Sequence, residues 1–173
     1  MEKIIKKYKK ILKDIKILNL ATVSYDNLLA SAKRDEILNL ININILSNVY
    51  LTQLVLPLMI TQRKGKIVHF SSTRALEGDI GISLYALSKT SLIGFSNSIA
   101  KEYARFNITS NIITLGYFDG KLLDNIPNDI KKKLLKKIPS KKLGRHKDII
   151  RTLDFIFSCN YLNGANIKLD GGI

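Results

Sequence analysis

The stretch GKIVHFSS (65–72) constrains the fold of this chain more than any other: a glycine, an apolar middle and two closing serines. A strand that is apolar on both faces is covered on both, which is the mark of a parallel sheet. A second stretch, NITSNIITLG (107–116), is started and stopped by turn residues and reads as the next strand. Parallel neighbours need a crossover of a dozen or more residues, and the intervening segment from about 83 to 105 reads as the helix that supplies it.

The rest of the chain repeats this alternation. MEKIIKKYKKILKDI (1–15) sets Ile4, Ile5, Tyr8, Ile11, Leu12 and Ile15 at helical spacing against lysines. KILNLATV (16–23) reads as a buried strand and SYDN (24–27) as a turn. From 35 to about 62 runs an apolar, buried helix that Gly65 ends. Its Asn39, Asn42, Asn44, Asn48 and Gln53 would be costly in lipid, so no membrane span is expected. HKDIIRTLDFIFS (146–158) reads as a helix and GANIKLDGGI (164–173) as the last strand. Between them and the third strand, residues 117–144 are Lys-rich, with Pro127 and Pro139 bracketing a short basic helix, and read as a lid-like insertion. The expected architecture is α/β, a parallel sheet with helices on its faces, in one domain over 1–173. Ligands bind such sheets beyond the carboxyl ends of the strands, here 22–24, 71–73 and 116–120.

Charge enters the argument as a question of partners. The formal net charge is +14, but the lysines fall in runs such as KKYKK and KKKLLKK without interleaved arginine and aromatic residues. Solvated helix faces account for them better than a nucleic-acid surface, and nucleic acid is not an expected partner. One cysteine, Cys159, excludes an intrachain disulfide and reads as buried packing. With no charged-then-apolar leader in the opening residues, a cytoplasmic location is the expectation. His69, inside an apolar strand, reads as a core histidine, and no metal site is expected.

The chemistry concentrates in SSTRALEGDIGISLYALSK (71–89). Side chains alternate along a strand, so of Ser71 and Ser72 one alone faces the crevice. Tyr85 and Lys89 lie one turn apart on one helix face, where an ammonium beside a phenol favours the phenolate. A serine hydroxyl can hold a carbonyl while the tyrosine moves the proton, which suits interconversion of a carbonyl and an alcohol. Asn44 is an amide in mid-helix, a costly buried group unless it has partners.

SS followed by YALSK resembles the signature of the short-chain dehydrogenase/reductase family. NILSNVYLTQLVLPLM (44–59) resembles its active-site asparagine helix. ITSNIITLGYFDG (108–120) resembles its sixth strand and cofactor loop, YLNGANIKLDGG (161–172) its C-terminal ending, and LNLATVSYDNLL (18–29) its fourth strand and following turn. DNLL and IPSKKLG (138–144) add a likeness to bacterial 3-oxoacyl-acyl-carrier-protein reductases. The resemblance implies a catalytic set of Asn44, Ser72, Tyr85 and Lys89. Tyr85 would be the acid, Lys89 would hold the nicotinamide ribose and lower the Tyr85 pKa, Ser72 would orient the carbonyl, and Asn44 would anchor a water chain. It implies cofactor contacts at Asn19, Ala21, Tyr85, Lys89 and Gly116, with NADP or NAD as cofactor. The substrate it implies is a carbonyl, small or linked to acyl carrier protein, an acidic partner for Arg63 and Arg105. A homo-oligomer through helices 35–62 and 83–105 is expected as well.

The sequence also departs from the family. No G-x-x-x-G-x-G or G-x-G-x-x-G occurs, the turn glycine after the fourth strand is Thr22, and the Pro-Gly after the sixth is Leu115-Gly116. The expected sheet is therefore a partial Rossmann-like one, strands four to seven of the family fold, in a truncated domain. Two functions follow as expectations: an NAD(P)-dependent carbonyl reductase, or a non-enzymatic remnant that associates with full-length relatives.

Overall fold

A computed structural model describes residues 14–120 and 127–173; the helix expected over 1–15 lies almost wholly outside them. Four strands form one sheet in the order β1 (Lys16–Asn19), β2 (Gly65–Ser72), β3 (Ile108–Leu115) and β4 (Asn166–Leu169), and every pairing is parallel. Helices α1 (Arg34–Gln62), α2 (Thr73–Glu77), α3 (Ser83–Tyr103), α4 (Asn128–Lys137) and α5 (His146–Ser158) make the crossovers. The partial Rossmann-like sheet is thus as the sequence pattern requires.

Alternation along the central strands divides the core. On one face Ile17, Ile67 and Ile108 pack against Val55, Leu56 and Met59 of α1 and Ile99 of α3. On the other, Val68, Phe70 and Ile113 pack against Ile156 of α5. Each fully buried side chain of this kind contributes about 1.5–3 kcal/mol. Lys66 lies on the α5 side, buried, and its Nζ donates to the carbonyls of Cys159 (3.0 Å) and Ile156 (3.4 Å). It satisfies orphan carbonyls at the C-terminus of α5, where a cation is favoured.

Several expectations are corrected. The first strand stops at Asn19 rather than Val23, because the register with β2 ends at the Asn19–His69 pair and Leu20 turns out to solvent. Gly65 does not end α1; Arg63 does, in the left-handed conformation (φ 51°), and Gly65 begins β2 where a side chain would strike Met59. Cys159 is half-buried and unpaired rather than packed in the core. Helix α1 is long and apolar enough to cross a membrane by length and composition, yet Val55, Leu56 and Met59 bury into the sheet. It is not buried on most sides, since Leu38 and Tyr50 are exposed.

The insertion at 117–144 is tied at its base. Phe118 bridges Gly144, Gly144 N–H donates to the Tyr117 carbonyl at 2.9 Å, and Asp119 N–H donates to the Gly144 carbonyl at 3.0 Å. Beyond α4, Ile138 is buried and Ser140 N–H reaches the carbonyl of Gly171.

Candidate active site

The carboxyl end of β2 and the first turns of α3 bring the expected residues together. Ser71 and Ser72 part as the pleat requires. The Ser71 hydroxyl is buried and donates to the backbone carbonyl of Lys89 at 3.1 Å, which docks α3 on the sheet. Ser72 stands at the N-terminus of α2, and its hydroxyl lies close enough to the Tyr85 phenol to favour the phenolate. Ser72 is therefore the serine that faces the phenol.

Lys89 is buried, and its Nζ donates to the Phe70 carbonyl at 3.1 Å and lies 6.0 Å from the centroid of the Tyr85 ring. Burial with no carboxylate beside it among the described residues pulls its pKa down to about 8. The Tyr85 phenol is shifted the other way. Burial pushes it above its ordinary value, while the nearby Ser72 hydroxyl and the Arg74 charge oppose the rise and Asp26 adds to it. The net direction at Tyr85 is upward, whereas the sequence suggested a lowering by Lys89, whose ammonium is held by the Phe70 carbonyl of β2.

Asn44 lies in a π-turn of α1, Asn42–Leu46, and is fully buried. Its Oδ1 accepts from Val23 N–H at 2.8 Å, and its Nδ2 donates to the Val23 carbonyl at 2.8 Å and to Ser88 Oγ at 3.0 Å. Ser88 Oγ in turn donates to the Tyr85 carbonyl at 2.8 Å. The amide thus satisfies the backbone of the loop after β1 and ties it to α3, which answers the cost of placing it in a helix. π-Turns recur at functional sites, and this one carries the asparagine.

The expected cofactor positions are more dispersed. Asn19 is buried, with Nδ2 3.0 Å from Nδ1 of His69, and that nitrogen is 3.2 Å from Asn48 Oδ1. Ala21 is exposed on the loop after β1. Gly116 lies at the end of β3, where a Cβ would come within 2.7 Å of the Asp170 Cα. Sequence reasoning missed Ser88, Val23 and the His69–Asn19–Asn48 group. The polar residues at Asn44 and Asn48, four apart in an apolar helix, were the signal that could have found it.

A parallel sheet with a Ser-Tyr-Lys cluster at its carboxyl edge defines a Rossmann-like oxidoreductase class. A family model described as "Enoyl-(Acyl carrier protein) reductase" matches residues 1–173. The 3-oxoacyl-acyl-carrier-protein reductase FabG of Thermotoga maritima is 33% identical over 175 residues, 100% of this chain and 70% of the relative. FabG of Buchnera aphidicola subsp. Schizaphis graminum is 36% identical over 159 residues, 91% of this chain and 65% of the relative. Carbonyl reductase family member 4 of Xenopus laevis is 33% identical over 157 residues, 91% and 65%. A solved structure, "ElxO with NADP Bound", matches with a TM-score of 0.89 at 27% identity, covering 98% of this chain and 71% of that one. The chain belongs to the short-chain dehydrogenase/reductase family, close to FabG, and spans about two thirds of the length of the curated relatives it matches.

The residues present fit a nicotinamide dinucleotide unevenly. At the nicotinamide-ribose end, the Lys89 ammonium uses one of three donors on protein and has no counter-ion among the described residues, so it can take hydroxyl acceptors. A pyrophosphate needs a glycine-rich turn opening on a helix N-terminus, and the sequence has none.

Proposed function

We propose that this chain carries the proton-transfer half of an NAD(P)-dependent short-chain reductase that converts a carbonyl to an alcohol. The observation that carries the reading is the placing of Ser72 against the Tyr85 phenol with buried Lys89 6.0 Å from its ring. A nicotinamide dinucleotide held beside Lys89 would supply the hydride for the carbonyl carbon. Ser72 orients the carbonyl oxygen, and Tyr85 delivers a proton to it. A phenol pKa raised by burial keeps that proton on Tyr85 at neutral pH, the form an acid must have. Lys89 would hold the ribose and pass protons toward Tyr85. Asn44 is proposed to anchor the water chain that resupplies Lys89; its side chain is committed to Val23 and Ser88, and its backbone carbonyl accepts from Asn48 Nδ2 at 2.8 Å.

The substrate proposed is a 3-oxoacyl thioester on acyl carrier protein, reduced in the cytoplasm. An acidic carrier suits the paired cations at one rim of the sheet. Arg63 and Arg105 flank the Phe106 ring at 6.0 and 4.8 Å, and Arg63 Nη2 donates to the Arg105 carbonyl at 3.0 Å. The insertion at 117–144, tied at Phe118 and Gly144, is proposed as a lid over one domain. A homo-oligomer through α1 and α3 is supported by a cleft of about 390 Å³ between them, lined by Val49, Leu56, Ile60, Phe95 and Tyr103. The same cleft also suits the second reading, a non-enzymatic partner of full-length relatives.

Titration with NADPH and NADH, followed by fluorescence or calorimetry, separates the two. The reductase reading expects micromolar binding that Lys89→Ala weakens at least tenfold, and turnover that Tyr85→Phe abolishes. No binding at millimolar dinucleotide would sink it and leave the partner reading.

A further inference from the structure

Two loops meet beside Tyr85, whose phenol feels the charges of Asp26 and Arg74. One leaves β1 and runs through 20–28; the other, 78–82, leads from α2 into α3. They are in contact, since a Cβ on Gly81 would sit 3.8 Å from the backbone of Asp26 and Asn27. The polar tie between them is Arg74 of α2. Its Nη1 lies 3.2 Å from Asp26 Oδ2 and its Nε 3.4 Å from Asp79 Oδ2.

Both carboxylates are themselves held. Asp26 Oδ1 accepts from Ser24 Oγ at 2.6 Å, and Asp79 Oδ1 accepts from the Ile80 N–H at 2.9 Å. The loop after β1 is otherwise fastened away from α2. Val23 is gripped by Asn44, and Tyr25 Oη accepts from Asn39 Nδ2 at 2.6 Å. Without the guanidinium, nothing but van der Waals contact and the covalent chain would hold 78–82 to 22–27 among the described residues. An isolated exposed ion pair contributes little, but a planar fork shared by two pre-anchored carboxylates is a network with fixed geometry.

We propose that Arg74 is a positioning residue of the site: it clasps the loop after β1 to the loop before α3 and so sets how far the mouth over Ser72 and Tyr85 opens. This rests on the reductase reading of that pair. The clasp is arranged so that one cation serves two purposes. It restrains both loops, and it lies close enough to the Tyr85 phenol for its charge to oppose the effect of burial, with Asp26 acting in the opposite sense.

The experiment needs neither cofactor nor turnover, so its failure is distinct from failure of the reductase reading. Amide exchange and the Tyr85 ring resonance, identified by its loss in Tyr85→Phe, are followed in the wild type, Arg74→Gln, Arg74→Lys and Asp79→Asn. The charged groups facing the phenol are Arg74, Asp26 and Lys89. Arg74→Gln is expected to speed exchange at 22–27 and 79–82 at least fivefold together, leaving 66–70 unchanged, and to move the Tyr85 titration upward. Arg74→Lys restores the titration but only part of the protection, because an ammonium cannot span both carboxylates. Asp79→Asn, which leaves the guanidinium in place, is expected to loosen 79–82 with a smaller effect on 22–27. Unchanged exchange in Arg74→Gln would overturn the proposal. So would faster exchange at 79–82 with 22–27 unchanged, which would mean that the guanidinium does not couple the two loops.

Discussion

Asn44 grips Val23 at both backbone groups, accepting its N–H and donating to its carbonyl, each at 2.8 Å. A side-chain amide is the one group that can match a peptide in this way, and its second N–H goes to Ser88. The residue is fully buried, so truncation leaves two backbone groups and a hydroxyl to find other partners. Asn44→Ala is expected to cost about 1–3 kcal/mol or more, and Asn44→Asp more still, because a carboxylate would face the Val23 carbonyl. Urea unfolding measures this, and a wild-type midpoint for Asn44→Ala would show that the grip contributes nothing to stability.

Lys89 is a buried cation with its pKa drawn down to about 8 from 10.5. Between those values the unfolded chain binds more protons than the folded one, so stability rises with pH across that window. Below pH 8 the folded protein carries the full cost of the buried charge, on the order of 3 kcal/mol for a shift of this size. In Lys89→Met this part of the slope is expected to vanish, so the two proteins converge as pH rises from 8 to 10. Parallel stability curves for the two proteins over that range would refute the assignment.

His69 presents the same sign in a lower window. Burial alone lowers its pKa from 6.5 to about 4, its Nε2 has no hydrogen-bond partner among the described residues, and its ring meets Phe95 edge-on at 5.4 Å. The neutral imidazole is what the fold accommodates. Stability is therefore fully present above pH 6.5 and declines as pH falls toward 4, by on the order of 3 kcal/mol from this group. His69→Gln is expected to be less stable at pH 7, having lost ring packing, but flatter between pH 6.5 and 4. Unfolding midpoints at half-unit pH steps test it.

The sheet and its order were legible because β2 and β3 are buried on both faces, so their apolar runs carry the signal without help from distant residues. The Ser72–Tyr85 pairing was legible for a similar reason, since the pleat and the helical turn are local geometry. What the sequence did not disclose is long-range: that Asn44 would spend its side chain on Val23, and that Lys89 would turn to the Phe70 carbonyl rather than to the phenol. The end of β1 was misplaced because Leu20 and Ala21 are apolar yet lie beyond the register with β2, a limit set by the neighbouring strand. Arg63 ended α1 without any sequence signal, since a left-handed arginine looks like any other helix-end cation.

Gly116 is a position where a backbone role and a cofactor role can be told apart. Its N–H donates to the Leu169 carbonyl at 2.8 Å, and a Cβ there would fall 2.7 Å from the Asp170 Cα and 3.1 Å from the Asp170 carbonyl oxygen. Those are backbone atoms that no rotamer change can move aside, so the exits of β3 and β4 must separate. Overpacking of this kind costs about 1–3 kcal/mol. Gly116→Ala is therefore expected to lower the thermal midpoint by several degrees in the absence of any dinucleotide, and to speed exchange of the Gly116 and Ile112 amides that pair with the last strand. An unchanged midpoint together with weakened dinucleotide binding would instead mean that the glycine is there for the ligand and that the two strands can part at no cost.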